Sequence, residues 1–163
     1  MLTIDKIDGD HAVGHTESVL INLWRRDVTC DAISNLLPIT HILGAKGKAG
    51  MLIVVEESAS VPTTAVRAEI AKLLKGAAGS LVCTALVFRG EGFRAAVVRA
   101  VTTTIYQLAN QPFPLRTFNH VDKAALWMAR FEARVTASDL VSDFGTLRRT
   151  LDEHDEARRM MSA

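Results

Sequence analysis

Two kinds of apolar pattern alternate along the chain: short runs that are apolar at nearly every position, and longer stretches whose apolar residues recur every three or four positions. Residues 51–55 (MLIVV) and 81–88 (LVCTALVF) are of the first kind. The former is bounded by Gly50 and the acidic pair Glu56 and Glu57, and both runs predict strands buried on both faces. Nearer the start, Leu2, Ile4 and Ile7 predict a short strand that ends at Asp8, Gly9 and Asp10. Residues 19–24 predict a second, and the two would form an antiparallel hairpin. A last short strand is predicted at 115–118, after the break QPFP at 111–114.

The stretches of the second kind predict helices. Thr29 stands at an N-cap position with Asp31 in the first turn, followed by Ile33, Leu36, Leu37, Ile42 and Leu43. Pro38 removes an amide donor inside that pattern and predicts a break near Leu37. Ser60 and Pro62 open a second helix with the stripe Val66, Ile70, Leu73 and Leu74. Gly90 and Gly92 turn the chain into a long helix whose inward stripe reads Phe93, Val97, Ala100, Val101, Thr104 and Leu108. Asn119 is the expected cap of the next helix, which carries Ala124, Ala125, Leu126, Trp127 and Met128. Beyond Ser138, Leu140, Phe144, Leu147 and Leu151 recur at steps of four and three among charged residues. They predict an amphipathic helix, whose tail over residues 152–163 loses the stripe and is expected to fray.

The resulting order is β-β-α-β-α-β-α-β-α with an extra C-terminal amphipathic helix. Strands and helices that alternate in this way build an α/β domain with a single mixed, mostly parallel sheet covered by helices. The domain is expected to span residues 1–135, and the helix and tail residues 136–163.

Composition narrows the function classes. With 163 residues and a formal charge of +1, the chain has room for a sizeable core but lacks the basic excess that binding to a phosphate backbone requires. Nucleic acid is not an expected partner. The N-terminus lacks the uninterrupted apolar stretch of a signal peptide, and no apolar run approaches the roughly 20 residues of a membrane span. Cys30 and Cys83 stand far apart with no CxxC, so neither a zinc site nor a redox motif is indicated. A cytoplasmic protein without a cofactor is the expectation.

Few residues offer chemistry. The string GEGFRA at 90–95 has the GxGxxA form of dinucleotide-binding turns. It follows the fourth predicted strand rather than the first, and no acidic residue ends the next strand for ribose recognition. A narrower reading is an anion site in which Arg89 and Arg94 flank the amides of Gly90, Gly92 and Phe93. His11 and His15 are four apart, but Gly14 argues against the helix that would bring them together. His41 and His120 have no sequence neighbour that suggests catalysis, and Glu56 and Glu57, adjacent on an extended segment, would point apart.

The element order, together with MLIVVEE at 51–57, FRGEGFR at 88–94 and FNHVDKAALWM at 118–128, resembles the STAS superfamily, and within it proteins similar to the sporulation anti-anti-sigma factor. The resemblance covers residues 1–130. It implies a regulatory, non-enzymatic domain that binds a protein partner and is switched by phosphorylation in the loop after the third strand of the family. Ser58 and Ser60 occupy that region here, where a phosphate would meet a helix N-terminus. The family's Asp-x-Ser core is absent, Glu56 and Glu57 would repel a phosphate, and capping of the helix is the role expected of Ser60.

The stripe of Leu140, Phe144, Leu147 and Leu151 has two readings. It folds back on its own domain, or it pairs with a partner protein or a second copy to give a homodimer, with Val98 and Tyr106 on the same surface. An alternative function is the carriage of a small hydrophobic or lipid-like ligand, by analogy with lipid-transfer domains of related architecture. Its cavity would open between the Pro38-kinked helix and the sheet.

Overall fold

The computed structural model describes residues 1–90 and 92–161. Its sheet has six strands among the described residues: β1 (Thr3–Ile7), β2 (His11–His15), β3 (Val19–Trp24), β4 (Ala49–Val55), β5 (Leu81–Phe88) and β6 (Leu115–Phe118). Their spatial order is their order in the chain. The first three run antiparallel as a meander, and β4, β5 and β6 add to β3 in parallel. The fold is thus α/β with one mixed, mostly parallel sheet.

The predicted two-strand hairpin is corrected to three strands, because residues 11–15 form β2 between its two members. HAVGH has no alternating apolar pattern to announce a strand. Gly14 is nevertheless suited to it, because a Cβ there would lie 2.8 Å from the carbonyl oxygen of Thr3 on β1.

From β3 to β6 the strands advance across the sheet in one direction. Right-handed crossovers therefore place every connecting helix on the same face. That layer holds α1 (Cys30–Ser34), α2 (Leu36–Ala45), α3 (Thr64–Gly76) and α4 (Gly92–Ala109). Alternate strand residues Leu20, Trp24, Met51, Ile53, Val55 and Phe88 pack with Ile33, Leu36, Leu74 and Ile105 of those helices. Residues of the opposite parity, among them Val19, Ile21, Leu52, Val54 and Val87, face a second core built with α5 (Val121–Met128) and α6 (Ala137–Met161).

Local chemistry sets the helix boundaries, in places against expectation. The first helix breaks at Asn35, so Pro38 is the third residue of α2, where its missing N–H would have had no helical partner. Thr63, and not Ser60, caps α3: its Oγ1 accepts from the amide of Val66 at 3.3 Å. The cap position of α5 is His120, which makes no side-chain cap bond, rather than Asn119. In α4 the inward residues include Val98, Val101, Ile105 and Ala109. Ala100 and Thr104 are exposed, so the predicted stripe is out of phase; the side chains of Phe93 and Leu108 lie outside the described residues. Short apolar residues surround the N-terminal half of this helix, and a period without strong contrast does not fix which side turns inward. The tail expected to fray continues α6 to Met161, with Leu151 and Asp155 both buried.

Candidate functional site

The layer of α3 and α4 does not fill the space above the sheet. A cavity of about 70 Å³ remains, against the roughly 10–15 Å³ that one water occupies on the same measure. Trp24, Ile53, Val55 and Phe88 form its floor, and Ile70, Leu74, Val98, Val101 and Ile105 its roof. Residues 59–62, in the loop between β4 and α3, line it too. Ser60 is exposed and Val61 is 49 % exposed, which places the solvent side of the cavity at this loop. The physical origin of the space is local: α4 presents valines and Thr102 where bulkier side chains would reach the sheet.

Polar groups are few on these walls. Thr102 also lines the cavity, but its Oγ1 donates within its own helix to the carbonyl of Val98 at 2.7 Å. No charged side chain is among the described lining residues. Trp24 is only 4 % exposed, and its indole Nε1 has no hydrogen-bond acceptor among the described residues. This cavity lies away from the position expected beneath the Pro38 helix, since none of its described lining residues comes from α2.

One residue further along, Arg25 enters a polar cluster at the carboxyl ends of the parallel strands. Its Nε donates to Glu56 at 2.9 Å, its Nη1 to Asp155 at 3.0 Å and its Nη2 to Asp152. Burial opposes the charge on Arg25, but the bonds to Glu56, Asp155 and Asp152 outweigh it and hold the guanidinium above its ordinary pKa. Arg148 adds an ion pair to Glu56, Nε to Oε1 at 3.2 Å.

The sequence-predicted anion site lies at the edge of this cluster. Arg89 is exposed and shares a shallow depression with Glu56, Glu57, Ser58 and Arg148, where two carboxylates balance two guanidiniums. Gly90 is a packing requirement, since a Cβ there would come within 2.5 Å of the Phe88 ring. Gly92 adopts a φ of +64° as it opens α4, and the side chains of Phe93 and Arg94 lie outside the described residues. Because the strand order never reverses, the sheet has no switch-point crevice of the kind that receives dinucleotides.

The candidate phosphorylation residues do not meet helix amides. Ser58 donates its Oγ to the carbonyl of Arg25 at 2.6 Å, and Ser60 lies in the loop before the Thr63 cap. The four residues of the C-terminal stripe, Leu140, Phe144, Leu147 and Leu151, are all buried against the sheet. Of the two readings of that stripe, the structure has it folded back on its own domain, so it presents no free surface; Val98 also faces the core, and the side chain of Tyr106 lies outside the described residues.

A different apolar surface is open. Leu126 is 64 % exposed and Phe131 41 %, and Trp127 lies between Phe118 and Phe131 in tilted ring contacts at centroid distances of 5.5 and 4.9 Å.

The histidines are spread apart in role. His15 Nδ1 meets Asp5 Oδ2 at 2.8 Å, His11 is buried with Asp8 Oδ2 3.6 Å away, and His41 Nε2 bonds the carbonyl of Gly76 at 3.0 Å. Among the described residues no group of three His, Cys, Asp or Glu side chains is placed to hold a metal ion, and no helix is long and apolar enough to cross a membrane. Burial, with the charge of Glu132 adding to it, pushes the Cys83 thiol up to about 12.

Trp24 is the site residue that the hydropathy pattern did not single out. Its signal was present only in part, since an indole at the end of a buried strand needs an acceptor for its N–H, and its same-face neighbour Asn22 is itself buried. Comparison with family models, curated proteins and solved structures finds no match to this chain.

Proposed function

We propose that the protein binds a small apolar molecule in the cavity between the sheet and the α3–α4 layer, as a non-catalytic carrier or sensor. The observation that supports this reading is a cavity with apolar walls, no charged described lining residue and a solvent side at residues 59–62. Cavities lined in this way stay dry and take up apolar guests, because the guest restores dispersion contacts that the walls lack. A regulatory role of the kind implied by the STAS resemblance is compatible with it, the loop at 59–62 reporting occupancy to a partner.

Isopropylbenzene tests the reading. Saturating amounts are expected to raise the melting temperature, since a ligand that binds only the folded state stabilises it. Val101→Phe and Leu74→Phe, which fill the cavity, are expected to remove the effect. No shift with the unaltered protein, and no saturable signal by calorimetry, would reject the proposal.

Self-association is a second reading, supported by the exposed Leu126 and Phe131 beside Trp127. It keeps the homodimer expectation but moves it from the α6 stripe to the surface around α5. Light scattering of the protein and of a Leu126→Lys, Phe131→Lys double variant decides it: a dimer that the double variant makes monomeric supports the reading, and a monomeric unaltered protein rejects it.

A further inference from the structure

Building on the cavity-binding reading, we infer that the cavity selects a neutral ligand carrying one hydrogen-bond acceptor, such as a ketone, ester or ether, and that the Nε1–H of Trp24 is its recognition group. A buried indole N–H nearly always has a partner, and leaving one unsatisfied is unfavourable by more than a typical hydrogen bond contributes. Trp24 lines the cavity, is 4 % exposed, and has no acceptor for Nε1 among the described residues. The half-buried Thr102, another polar side chain on the walls, uses its hydroxyl proton within α4. A guest with a carbonyl or ether oxygen therefore supplies what the protein leaves open.

Charge separates the candidate ligands further. A carboxylate would also accept from the indole, but the described walls hold no Lys, Arg or His to offset its desolvation. Arg25, the nearest guanidinium in sequence, is committed to Glu56, Asp152 and Asp155. Strand alternation also turns it to the face opposite Trp24. The cavity thus discriminates against fatty acids and other anions while accepting their neutral, oxygen-bearing counterparts.

Three probes of nearly the same shape test this: acetophenone, isopropylbenzene and benzoate. Acetophenone is expected to bind about tenfold more tightly than isopropylbenzene, as one added hydrogen bond to a buried donor predicts, and benzoate more weakly than either. The Trp24 indole proton, followed by 15N-correlated NMR with Trp127→Phe to leave one indole signal, is expected to move downfield with acetophenone alone. In Trp24→Phe, verified as folded by circular dichroism, the preference for acetophenone is expected to vanish. Equal affinities for acetophenone and isopropylbenzene, with no indole shift in the protein that retains Trp24, would overturn the inference and leave the cavity reading standing. Tightest binding of benzoate would overturn the claim of neutrality. Failure of all three to bind would overturn the cavity reading and this inference with it.

Discussion

The guanidinium of Arg25, one residue past the end of β3, donates to the buried carboxylate of Asp155 at 3.0 Å, across 130 positions of the chain. The bond fastens the far end of α6 to the carboxyl end of the sheet. Asp155 is 7 % exposed, so removing the Arg25 guanidinium leaves this charge, in a poorly hydrated place, with the longer ion pair to Arg26 Nη2 at 3.6 Å. Arg25→Ala is expected to destabilise the fold by about 2–4 kcal/mol in denaturant titrations, the lower end reflecting the half-exposed Asp152 arm. A double-mutant cycle with Asp155→Ala should show coupling. Costs that simply add within about 0.5 kcal/mol would mean that the two act independently.

Leu147 lies at the centre of the α6 stripe with no exposed surface. Leu147→Ala is expected to cost about 2–5 kcal/mol, since it removes buried methyl groups and leaves a cavity. An unfolding midpoint that does not move would contradict the docking of α6 on its own sheet.

The two thiols differ in accessibility. Cys83 is fully buried with its pKa pushed up to about 12, whereas Cys30 is half-buried near the start of α1. A disulfide reagent at pH 8 is expected to titrate one thiol rapidly in the native protein and both after denaturation. Equal rates for the two in the native state would refute the burial of β5 between β4 and β6.

Acid is expected to destabilise the protein in two windows. The hydrogen bond from Arg134 to Glu132 outweighs burial and holds that carboxyl below its ordinary value of 4.5. The charged form is therefore the stabilised one, and its contribution, full above pH 4.5, is lost as pH falls below it. The same Arg134 bonds the carbonyls of Lys46 and Lys48 around Gly47, whose φ is +125°, so this loop loosens with it.

Burial also holds His11 below its ordinary value of 6.5, against the attraction of Asp8. The unfolded chain takes up that proton first, so stability declines as pH falls from 6.5 towards the folded value. Denaturant midpoints measured between pH 7 and 3 should fall in both windows. His11→Gln should flatten the upper window and Glu132→Gln the lower; a slope near pH 6 that survives His11→Gln would assign that window to another group.

Much of the fold is legible in local pattern. The runs at 51–55 and 81–88 are β4 and β5, and Val66, Ile70, Leu73 and Leu74 are the buried face of α3. In both cases the contrast between apolar and polar neighbours is strong enough to specify period and phase. Where the contrast is weak, the pattern misleads: β2 is two histidines around Ala, Val and Gly, and α4 has apolar residues on several sides, so its inward face is set by what it packs against. The candidate site was legible only as its separate walls.

By itself, then, the sequence determined the order of strands and helices apart from β2, and the double burial of the central strands, because these follow from side-chain period and short-range steric chemistry. Only the tertiary structure decided that β3 to β6 advance without reversal, and several features depend on that. It put α1 to α4 on one face, left the other for the stripe of Leu140, Phe144, Leu147 and Leu151, and denied the Gly90 turn a crevice. It also set Trp24, Val98 and Val101 around a common void. Such a void is a property of how well surfaces distant in the chain fit together, and no local period encodes it.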